Sequence, residues 1–384
     1  MVFSRFIRAR TALAALAFTA LAAAGCSTDR GPAPSAARGP EPTSAAMAAK
    51  PRRLIFVTNG DDPFWDALLS GLKEGETRFA CPQAGLVVSR DVNNGTAEGQ
   101  IERLRQYATQ DDVAGIAISV IQADNQSIVE ELRKLRAKGV QVITVDGDVN
   151  RDTFRDARAF YIGTDNVVGG RTLGTATRAL LQAKGAAAGG YVQFAGFTDN
   201  DNARSRMNGV REAVGPAYVE RDRMADEMDL PRARDNVRNA TQNHKDLVAL
   251  VGIWAYNAPA IADVVTENGT REQYVVATFD AQDLAIGHME KGRIDVMVVQ
   301  NPFEMGVQTV RLLKAMVEKD EGVTAEMFPR SGQPDGDIYT TGLRVVVPDR
   351  SSPVTADLFD PAVVEFMVLP DFRAWLARYN LTSS

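Results

Sequence analysis

Cysteine and histidine are scarce in this chain. Its 384 residues contain two cysteines and two histidines, Cys26, Cys81, His244 and His288. Cys26 lies in an N-terminal segment of its own, so the remaining chain holds one cysteine and can form no internal disulfide. With so few ligands, neither a Cys/His zinc site nor a thiol redox centre can be assembled. We therefore expect no metal and no cofactor.

A concentrated positive charge is also missing. The formal net charge is −6, and no block of lysine or arginine occurs in the body of the chain. Proteins that bind polyanions generally present such a basic patch. Nucleic acid is therefore not an expected partner.

Apolar runs long enough to span a bilayer are absent as well. The most apolar segment, residues 11–24, follows Arg5, Arg8 and Arg10 and is too short for a comfortable membrane span. A positive region followed by a short apolar run is typical of a secretory signal, which predicts export and a signal peptide over residues 1–25.

Cys26 follows this signal directly. Ala23-Ala24-Gly25-Cys26 resembles the bacterial lipobox, in which the cysteine is lipidated and becomes N-terminal, although Ala23 stands where leucine is usual. Ala22-Ala23-Ala24 also suits an ordinary signal peptidase, so both kinds of cleavage stay open. Residues 26–51, rich in Pro, Ala, Ser and Gly, are interpreted as a disordered tether that is anchored to a membrane through the lipid alone.

The rest of the chain alternates between predicted strands and helices. Four strand-then-helix steps begin at Leu54, and a similar series begins near Phe160. Such alternation predicts an α/β fold with parallel sheets covered on both faces. We expect two similar parallel-sheet sandwich lobes with a cleft between them.

Residues 58–65, Thr-Asn-Gly-Asp-Asp-Pro-Phe-Trp, end the first predicted strand. Pro63 suits the first position of a helix, and Asp61 or Asp62 can cap it. Ligands bind beyond the carboxyl ends of the strands in open α/β sheets, so Phe64 and Trp65 can flank a binding crevice. They can equally be core residues.

Polar side chains recur where other predicted strands end. They are Asp146, Asn257, Asp280 and Gln300, and Arg206 lies early on a helix near the same edge. Carboxylates, amides and an arginine fork suit a neutral polyhydroxylated ligand, and aromatic faces suit the C–H face of a sugar ring. Each residue alone also has an ordinary explanation as a cap, a turn or a solvated end.

Several segments carry a family resemblance from Leu54 to about Val347. They are Asp62-Pro63-Phe64-Trp65, Ile143-Thr144-Val145-Asp146, Thr164-Asp165-Asn166-Val167-Val168-Gly169-Gly170, Ala203 to Gly209, Thr278-Phe279-Asp280 and Val299-Gln300. In order and spacing, this stretch resembles the periplasmic sugar-binding proteins of the ribose/galactose type, whose type I fold is shared with the ligand domains of lactose-repressor-like regulators.

The resemblance implies a set of ligand-binding residues. From one lobe these are Thr58, Asp62, Phe64, Trp65 and Asp146, and from the other lobe or the hinge Arg206, Asn257, Phe279, Asp280 and Gln300. It also implies a three-segment hinge, with residues 52–164 and 301–341 in lobe one and 165–300 and 342–348 in lobe two. Residues 349–384 remain a C-terminal extension without an assigned role.

This sequence departs from the family pattern in two places. Gly147 followed by Asp148 stands where pentose-binding members often have arginine, and Asp61-Asp62 stands where asparagine is common. The departures predict a more acidic pocket and disfavour ribose. A cyclitol, another sugar and an amine-bearing ligand stay open, and Trp254 and Tyr256 are either stacking surface or core.

The function implied is capture of a sugar or sugar-like molecule by a monomer, for delivery to an ABC importer. A sensory protein of the same fold would present its ligand to a membrane receptor instead. An exported glycoside-acting enzyme needs two carboxylates at a set separation, which a pair such as Asp61 and Asp62 could supply. No further motif supports that chemistry, and we expect no enzyme.

Overall fold

The structure of the protein is a computed structural model, and it describes residues 50–384. The predicted signal peptide, the predicted lipidation of Cys26 and nearly all of the predicted tether lie outside these residues.

Strands and helices alternate along the described chain, as the apolar pattern predicts. The strands are β1 Arg52–Val57, β2 Leu86–Asp91, β3 Val113–Ile118, β4 Gln141–Val145, β5 Tyr161–Gly163, β6 Gly189–Ala195, β7 Tyr218–Ala225, β8 Leu247–Gly252, β9 Val275–Phe279, β10 Val296–Val299, β11 Ile338–Thr340, β12 Leu343–Val347 and β13 Val364–Val368. The helices are α1 Phe64–Arg78, α2 Ala97–Ala108, α3 Gln126–Ala137, α4 Arg151–Phe154, α5 Asn166–Ala183, α6 Asp201–Val214, α7 Leu230–Asn243, α8 Asn257–Glu267, α9 Asp283–Glu290, α10 Pro302–Glu318, α11 Glu321–Met327 and α12 Leu369–Arg378.

These strands form two sheets. Sheet one has the order β11-β5-β4-β3-β1-β2, and all of its pairs are parallel. Sheet two has the order β13-β12-β10-β9-β8-β6-β7, and its only antiparallel pair among the described residues joins β10 to β12. The predicted α/β class with two mainly parallel sheets is confirmed.

Helices cover both faces of each sheet. Strands such as Val113–Ile118 are therefore buried along their whole length. On sheet one, α1 and α10 cover one face and α2 and α3 the other. On sheet two, α5 and α6 cover one face, and α7, α8, α9 and α12 cover the other. Within residues 50–384, no helix combines the length and apolarity needed to cross a bilayer.

The chain passes between the sheets three times. It leaves sheet one after β5, returns from sheet two after β10, and leaves again between β11 and β12. Residues 349–384, set apart in the sequence, contribute β13 and α12 to sheet two. The three connections between the sheets meet in one region, beside the carboxyl ends of β5 and β10.

Candidate functional site

A cavity of about 70 Å³ lies where the carboxyl ends of strands from both sheets meet. Residues on loops and helix starts of both sheets line it. They are Asn59, Asp62, Phe64, Trp65, Asp146, Asn202, Arg206, Met228, Trp254, Ala255, Tyr256, Asp280 and Gln300. Seven of the ten residues expected to bind ligand are among them.

Asp62 occupies the turn between β1 and α1. Its Oδ1 accepts a hydrogen bond from the Phe64 N–H at 2.8 Å, which satisfies a free donor at the start of α1. Its Oδ2 accepts from Nε2 of Gln282, at the start of α9, at 3.0 Å. Burial raises the pKa of Asp62 above its ordinary value despite these bonds. One carboxylate therefore caps a helix beside sheet one and contacts an amide beside sheet two.

Phe64 and Trp65 serve both roles that the sequence left open. They line the cavity, and they are also buried in the core of sheet one at 7% and 3% exposure. Their ring centroids lie 4.9 Å apart in an edge-to-face arrangement. Because α1 fixes both rings, the cavity has a rigid apolar wall.

Asp146 directly follows β4 with a left-handed backbone, at a φ of +64°. Its N–H donates to the Ile162 carbonyl at 3.0 Å, and its Oδ2 accepts from the Ser119 hydroxyl at 3.3 Å. Burial raises the pKa of this carboxyl, and the charge of Arg206 lowers it less.

Arg206 lies on α6 and is 1% exposed. Helix α5 packs close to it, since a Cβ added to Gly170 would lie 2.1 Å from the Arg206 carbonyl oxygen. The guanidinium donates from Nε to Asn166 Oδ1 at 2.9 Å and from Nη1 to the Ile253 carbonyl at 3.2 Å. Its Nη2 is buried and has no hydrogen-bond partner among the described residues.

Asp280 and Gln300 follow the neighbouring strands β9 and β10. Gln300 Nε2 donates to both Asp280 oxygens, at 3.1 and 3.2 Å, and Arg206 Nη1 lies 3.8 Å from Asp280 Oδ2. Burial raises the pKa of Asp280 to about 6, and the charge of Asp146 raises it further while Arg206 and Gln300 oppose the rise.

Three of the residues expected to bind ligand do not line the cavity. The Thr58 hydroxyl accepts from the Asn93 N–H at 2.9 Å, and Phe279 lies beneath the Arg206 guanidinium at 4.4 Å from its ring centre. Asn257 accepts from the Trp254 N–H at 3.0 Å and donates to Asp226 Oδ2 at 2.9 Å. Phe279 and Asn257 therefore contact the wall residues Arg206 and Trp254, whereas Thr58 contacts Asn93, which does not line the cavity.

Trp254 and Tyr256, which the sequence left open as stacking surface or core, both line the cavity. Trp254 Nε1 donates to Asn202 Oδ1 at 3.0 Å, and the Tyr256 hydroxyl donates to Asp226. Sequence reasoning missed Asn59, Asn202, Met228 and Ala255. Asn202 directly precedes the segment Ala203 to Gly209 that carried the family resemblance, which is the signal that points to it.

Met228 reaches the cavity from the turn that follows β7. Glu227 and Met228 both have left-handed backbones, at φ of +56° and +63°. Asp226 holds this turn, because its Oδ1 accepts from the Met228 N–H at 2.9 Å. A Cβ added to Gly60, in the loop after β1, would lie 3.5 Å from the Met228 methyl carbon. The two sheets therefore approach each other closely at this point.

Asp61 and Asp148 do not line the cavity, so of the acidic residues in the two departures only Asp62 adds to the acidity of its wall, which corrects part of the expectation. Asp61 is exposed to solvent and lines no part of the cavity. Asp148 is buried, does not line the cavity, and accepts from Arg158 at 2.8 and 3.0 Å and from Arg151 at 2.8 Å. Two guanidiniums compensate the Asp148 charge, and the acidity of the wall comes from Asp62, Asp146 and Asp280.

The described residues contain no group of three or more acidic, histidine or cysteine side chains able to hold a metal ion. The cavity is lined instead by aromatic rings, by carboxylates that accept hydrogen bonds and by amides that can both donate and accept. Arg206 adds one guanidinium N–H group without a partner among the described residues. Such a wall can take up a small molecule that carries many hydroxyl groups on an apolar ring.

Comparisons with known proteins give a family match and a curated relative. A family model described as periplasmic binding protein domain matches residues 54–321. Among curated proteins, the chain is 24% identical over 280 residues to the D-allose-binding periplasmic protein of Escherichia coli, over 71% of this chain and 86% of that protein.

Solved structures share the fold. A solute-binding protein of an ABC transporter from Burkholderia graminis, in complex with D-arabinose, has a TM-score of 0.66 and 23% identity, covering 80% of this chain and 99% of that one. One from Actinobacillus succinogenes with bound D-allose has a TM-score of 0.65 and 16% identity, over 79% of this chain and 99% of that one.

Proposed function

Because the chain belongs to the family of periplasmic binding protein domains, we propose that it captures a small sugar in the cavity between its two sheets and delivers it to an ABC importer. The family assignment confirms the resemblance found in the sequence. Its relatives are binding proteins of transport systems rather than enzymes, in agreement with the expectation that this chain is not an enzyme.

The buried Nη2 of Arg206 is the observation that carries this proposal. A guanidinium donor without a partner in a protein interior costs free energy unless something accepts from it. Arg206 is one of the residues that line the cavity, and the other polar side chains of the lining include three carboxylates and the amides of Asn59, Asn202 and Gln300. A hydroxyl or ring oxygen of a sugar supplies the missing acceptor.

Closure of two lobes around the ligand is part of this proposal, and the positions of the wall residues on both sheets support it. Asp62 and Asp146 follow strands of sheet one, and Asp280 follows a strand of sheet two. A ligand that contacts all three is bound more tightly when the lobes are closed, so it shifts the population towards the closed state. The lobes in this proposal are residues 52–164 with 301–341, and 165–300 with 342–348.

The site of action in this proposal is the periplasm. Family membership implies an exported protein. We place a lipid on Cys26, which would hold a monomer near its permease through residues 26–51 as a tether. Incorporation of radiolabelled fatty acid that is lost in Cys26→Ser tests the lipid, and unchanged labelling in that variant contradicts it.

A thermal-shift screen of pentoses, hexoses and cyclitols tests the binding function. A ligand at 100 times its Kd stabilises the folded state by about 2.7 kcal/mol. Arg206→Ala should abolish the shift that the wild type shows with its sugar. Arg171→Ala, which removes an exposed ion pair with Glu212, is the matched control and should keep the shift.

Circular dichroism should show that both variants are folded before the comparison is made. No shift with any of these compounds, or an undiminished shift in folded Arg206→Ala, contradicts the proposal.

A further inference from the structure

The cavity wall carries more negative than positive charge. Three carboxylates line it, those of Asp62, Asp146 and Asp280, and Arg206 is the only cationic residue of the lining. Arg206 Nη1 lies 3.8 Å from Asp280 Oδ2. Within residues 50–384, Asp62 and Asp146 form no ion pair at 4.0 Å or less. The wall therefore has a formal charge of −2.

The hydrogen-bond partners of Asp62 do not compensate its charge. They are the Phe64 N–H and the neutral Gln282 amide. Asp61 and Asp66, on the same turn and helix, raise the pKa of Asp62 further after the larger effect of burial. Two of its four lone-pair positions remain for a ligand.

The charge of Asp146 is not compensated by its hydrogen-bond partner either. The Ser119 hydroxyl, at 3.3 Å, is a neutral donor, and the Arg206 charge is shared with Asp280. Burial raises the pKa of all three carboxyls, because the ionised forms lose hydration, and an ammonium group beside them would stabilise those ionised forms.

Aromatic rings provide a second feature that favours a cation. Phe64, Trp65, Trp254 and Tyr256 all line the cavity. The face of an aromatic ring attracts an ammonium group, and the attraction is stronger where water is excluded. Carboxylates together with several ring faces form the chemical surroundings in which proteins hold organic cations.

We propose that the ligand of this cavity is a polyhydroxylated molecule with a protonated amine, such as an amino sugar. This inference rests on the proposed sugar-binding function and narrows its ligand class. The ammonium group replaces the missing positive charge among the carboxylates, while Arg206 Nη2 and the wall amides take the hydroxyl and ring oxygens. The ligands named for the relatives, D-allose and D-arabinose, are uncharged.

Isothermal titration calorimetry with matched sugars tests this inference. The probes are D-glucosamine with D-glucose, D-galactosamine with D-galactose, and D-mannosamine with D-mannose, at neutral pH and fixed salt. N-acetyl-D-glucosamine controls for the nitrogen substituent without the charge. We expect at least one amine to bind about tenfold or more tightly than its neutral parent, since 1.4 kcal/mol of charge attraction suffices for that factor.

Asp62→Asn tests whether the wall charge causes the preference. Asparagine keeps an acceptor for the Phe64 N–H and removes one negative charge, so the ratio of amine affinity to parent affinity should fall about tenfold. Asp61→Asn is the matched control, because Asp61 is exposed and outside the wall, and it should keep the ratio.

The outcomes separate this inference from the function it rests on. Neutral sugars that bind as tightly as their amines overturn the inference and leave sugar capture standing. A preference for the amine that survives Asp62→Asn and Asp61→Asn equally also overturns it. No binding by any sugar, charged or neutral, overturns both.

Discussion

The hydroxyl of Thr164 donates to Oε1 of Gln300 at 2.8 Å, and both side chains are 2% exposed. Thr164 lies where the chain leaves sheet one after β5, and Gln300 lies where it returns after β10. The third connection joins them, because the Thr341 N–H donates to the Gly163 carbonyl at 2.8 Å. The three connections between the sheets therefore share one hydrogen-bond network that includes a residue of the cavity wall.

Thr164→Val should destabilise the protein. Valine has nearly the same shape but cannot donate, so the buried Gln300 oxygen loses this donor at a cost of about 1–3 kcal/mol in the free energy of unfolding. Urea denaturation measures the change. Thr77→Val removes an exposed hydroxyl bond to the Lys73 carbonyl and should stay within about 0.5 kcal/mol of the wild type. Equal effects of the two substitutions would show that the Thr164 bond has no special weight.

Gln282→Ala should weaken sugar binding although Gln282 does not line the cavity. It removes the hydrogen bond to Asp62 that joins the starts of α9 and α1. A hydrogen bond of this kind contributes about 0.5–1.5 kcal/mol, which corresponds to a Kd raised roughly 2- to 10-fold. Calorimetry with the sugar found by thermal shift measures it.

Gln273→Ala provides the comparison for Gln282→Ala, since Gln273 is exposed in a turn before β9. It should leave the Kd within about twofold of the wild-type value. An unchanged Kd in both variants would mean that the bond between Gln282 and Asp62 does not favour closure.

Asp280 should make the ligand-free protein less stable as the pH rises through about 6. The pKa of its buried carboxyl is raised from 3.8 to about 6, so the folded state holds a proton that the unfolded state has already released. Stability is therefore fully present below pH 3.8 and falls between pH 3.8 and about 6, by about 3 kcal/mol for this shift. The raised pKa values of Asp62 and Asp146 act in the same direction.

Asp280→Asn should remove much of this slope and make the ligand-free protein more stable at pH 7, while weakening sugar binding. Urea denaturation from pH 4 to pH 7, with and without sugar, measures both effects. A variant with the wild-type slope would show that Asp280 is not the group responsible.

Asp148 should have the opposite dependence on pH. Burial alone would raise its pKa, but the hydrogen bonds and charge of Arg158 and the charge of Arg151 outweigh burial and hold the pKa below its ordinary value. Its stabilisation is therefore present above the unfolded pKa of 3.8 and is lost as the pH falls through the folded value.

Asp148→Asn leaves the fully buried Arg158 without its main counterion and should cost about 3–5 kcal/mol of unfolding free energy at pH 7. Asp156→Asn breaks an exposed pair with Arg133 and should cost about 1 kcal/mol or less. Folded Asp148→Asn should still bind sugar, since Asp148 lies outside the wall. Loss of binding in the folded variant would place Asp148 in the site after all.

The order of the main strands and helices was predictable because the apolar residues of buried parallel strands form short continuous runs. Strand β7, Tyr218–Ala225, was not predicted. It lies at the edge of sheet two, and its sequence carries charged residues at positions 220–223, so no apolar run marks it. The turn that places Met228 in the cavity follows this strand and was missed with it.

The site was predictable at the ends of strands, where topology alone brings residues together. The directions in which the side chains point were not predictable. Asn257 was expected at the end of a strand and lies at the start of α8, the helix that follows β8, but its amide turns to Asp226, a contact over 31 residues of sequence. Asp148 likewise finds its counterion in Arg158 through the packing of the loop after β4. Pairings of this kind depend on the folded backbone, which periodicity does not describe.

The repeated crossing of the chain has a consequence for biosynthesis. Sheet one is completed by β11, and α10 packs against α1 and the core beneath it, so this half of the molecule needs residues up to 340. Sheet two needs β12 and β13 and so residues up to 368. Neither half can finish folding while it emerges in order from a ribosome or a translocation pore. A nascent chain stopped near residue 300 would expose the apolar faces of α1 and β10 together, and both halves would reach their final form only after residues up to 368 have emerged.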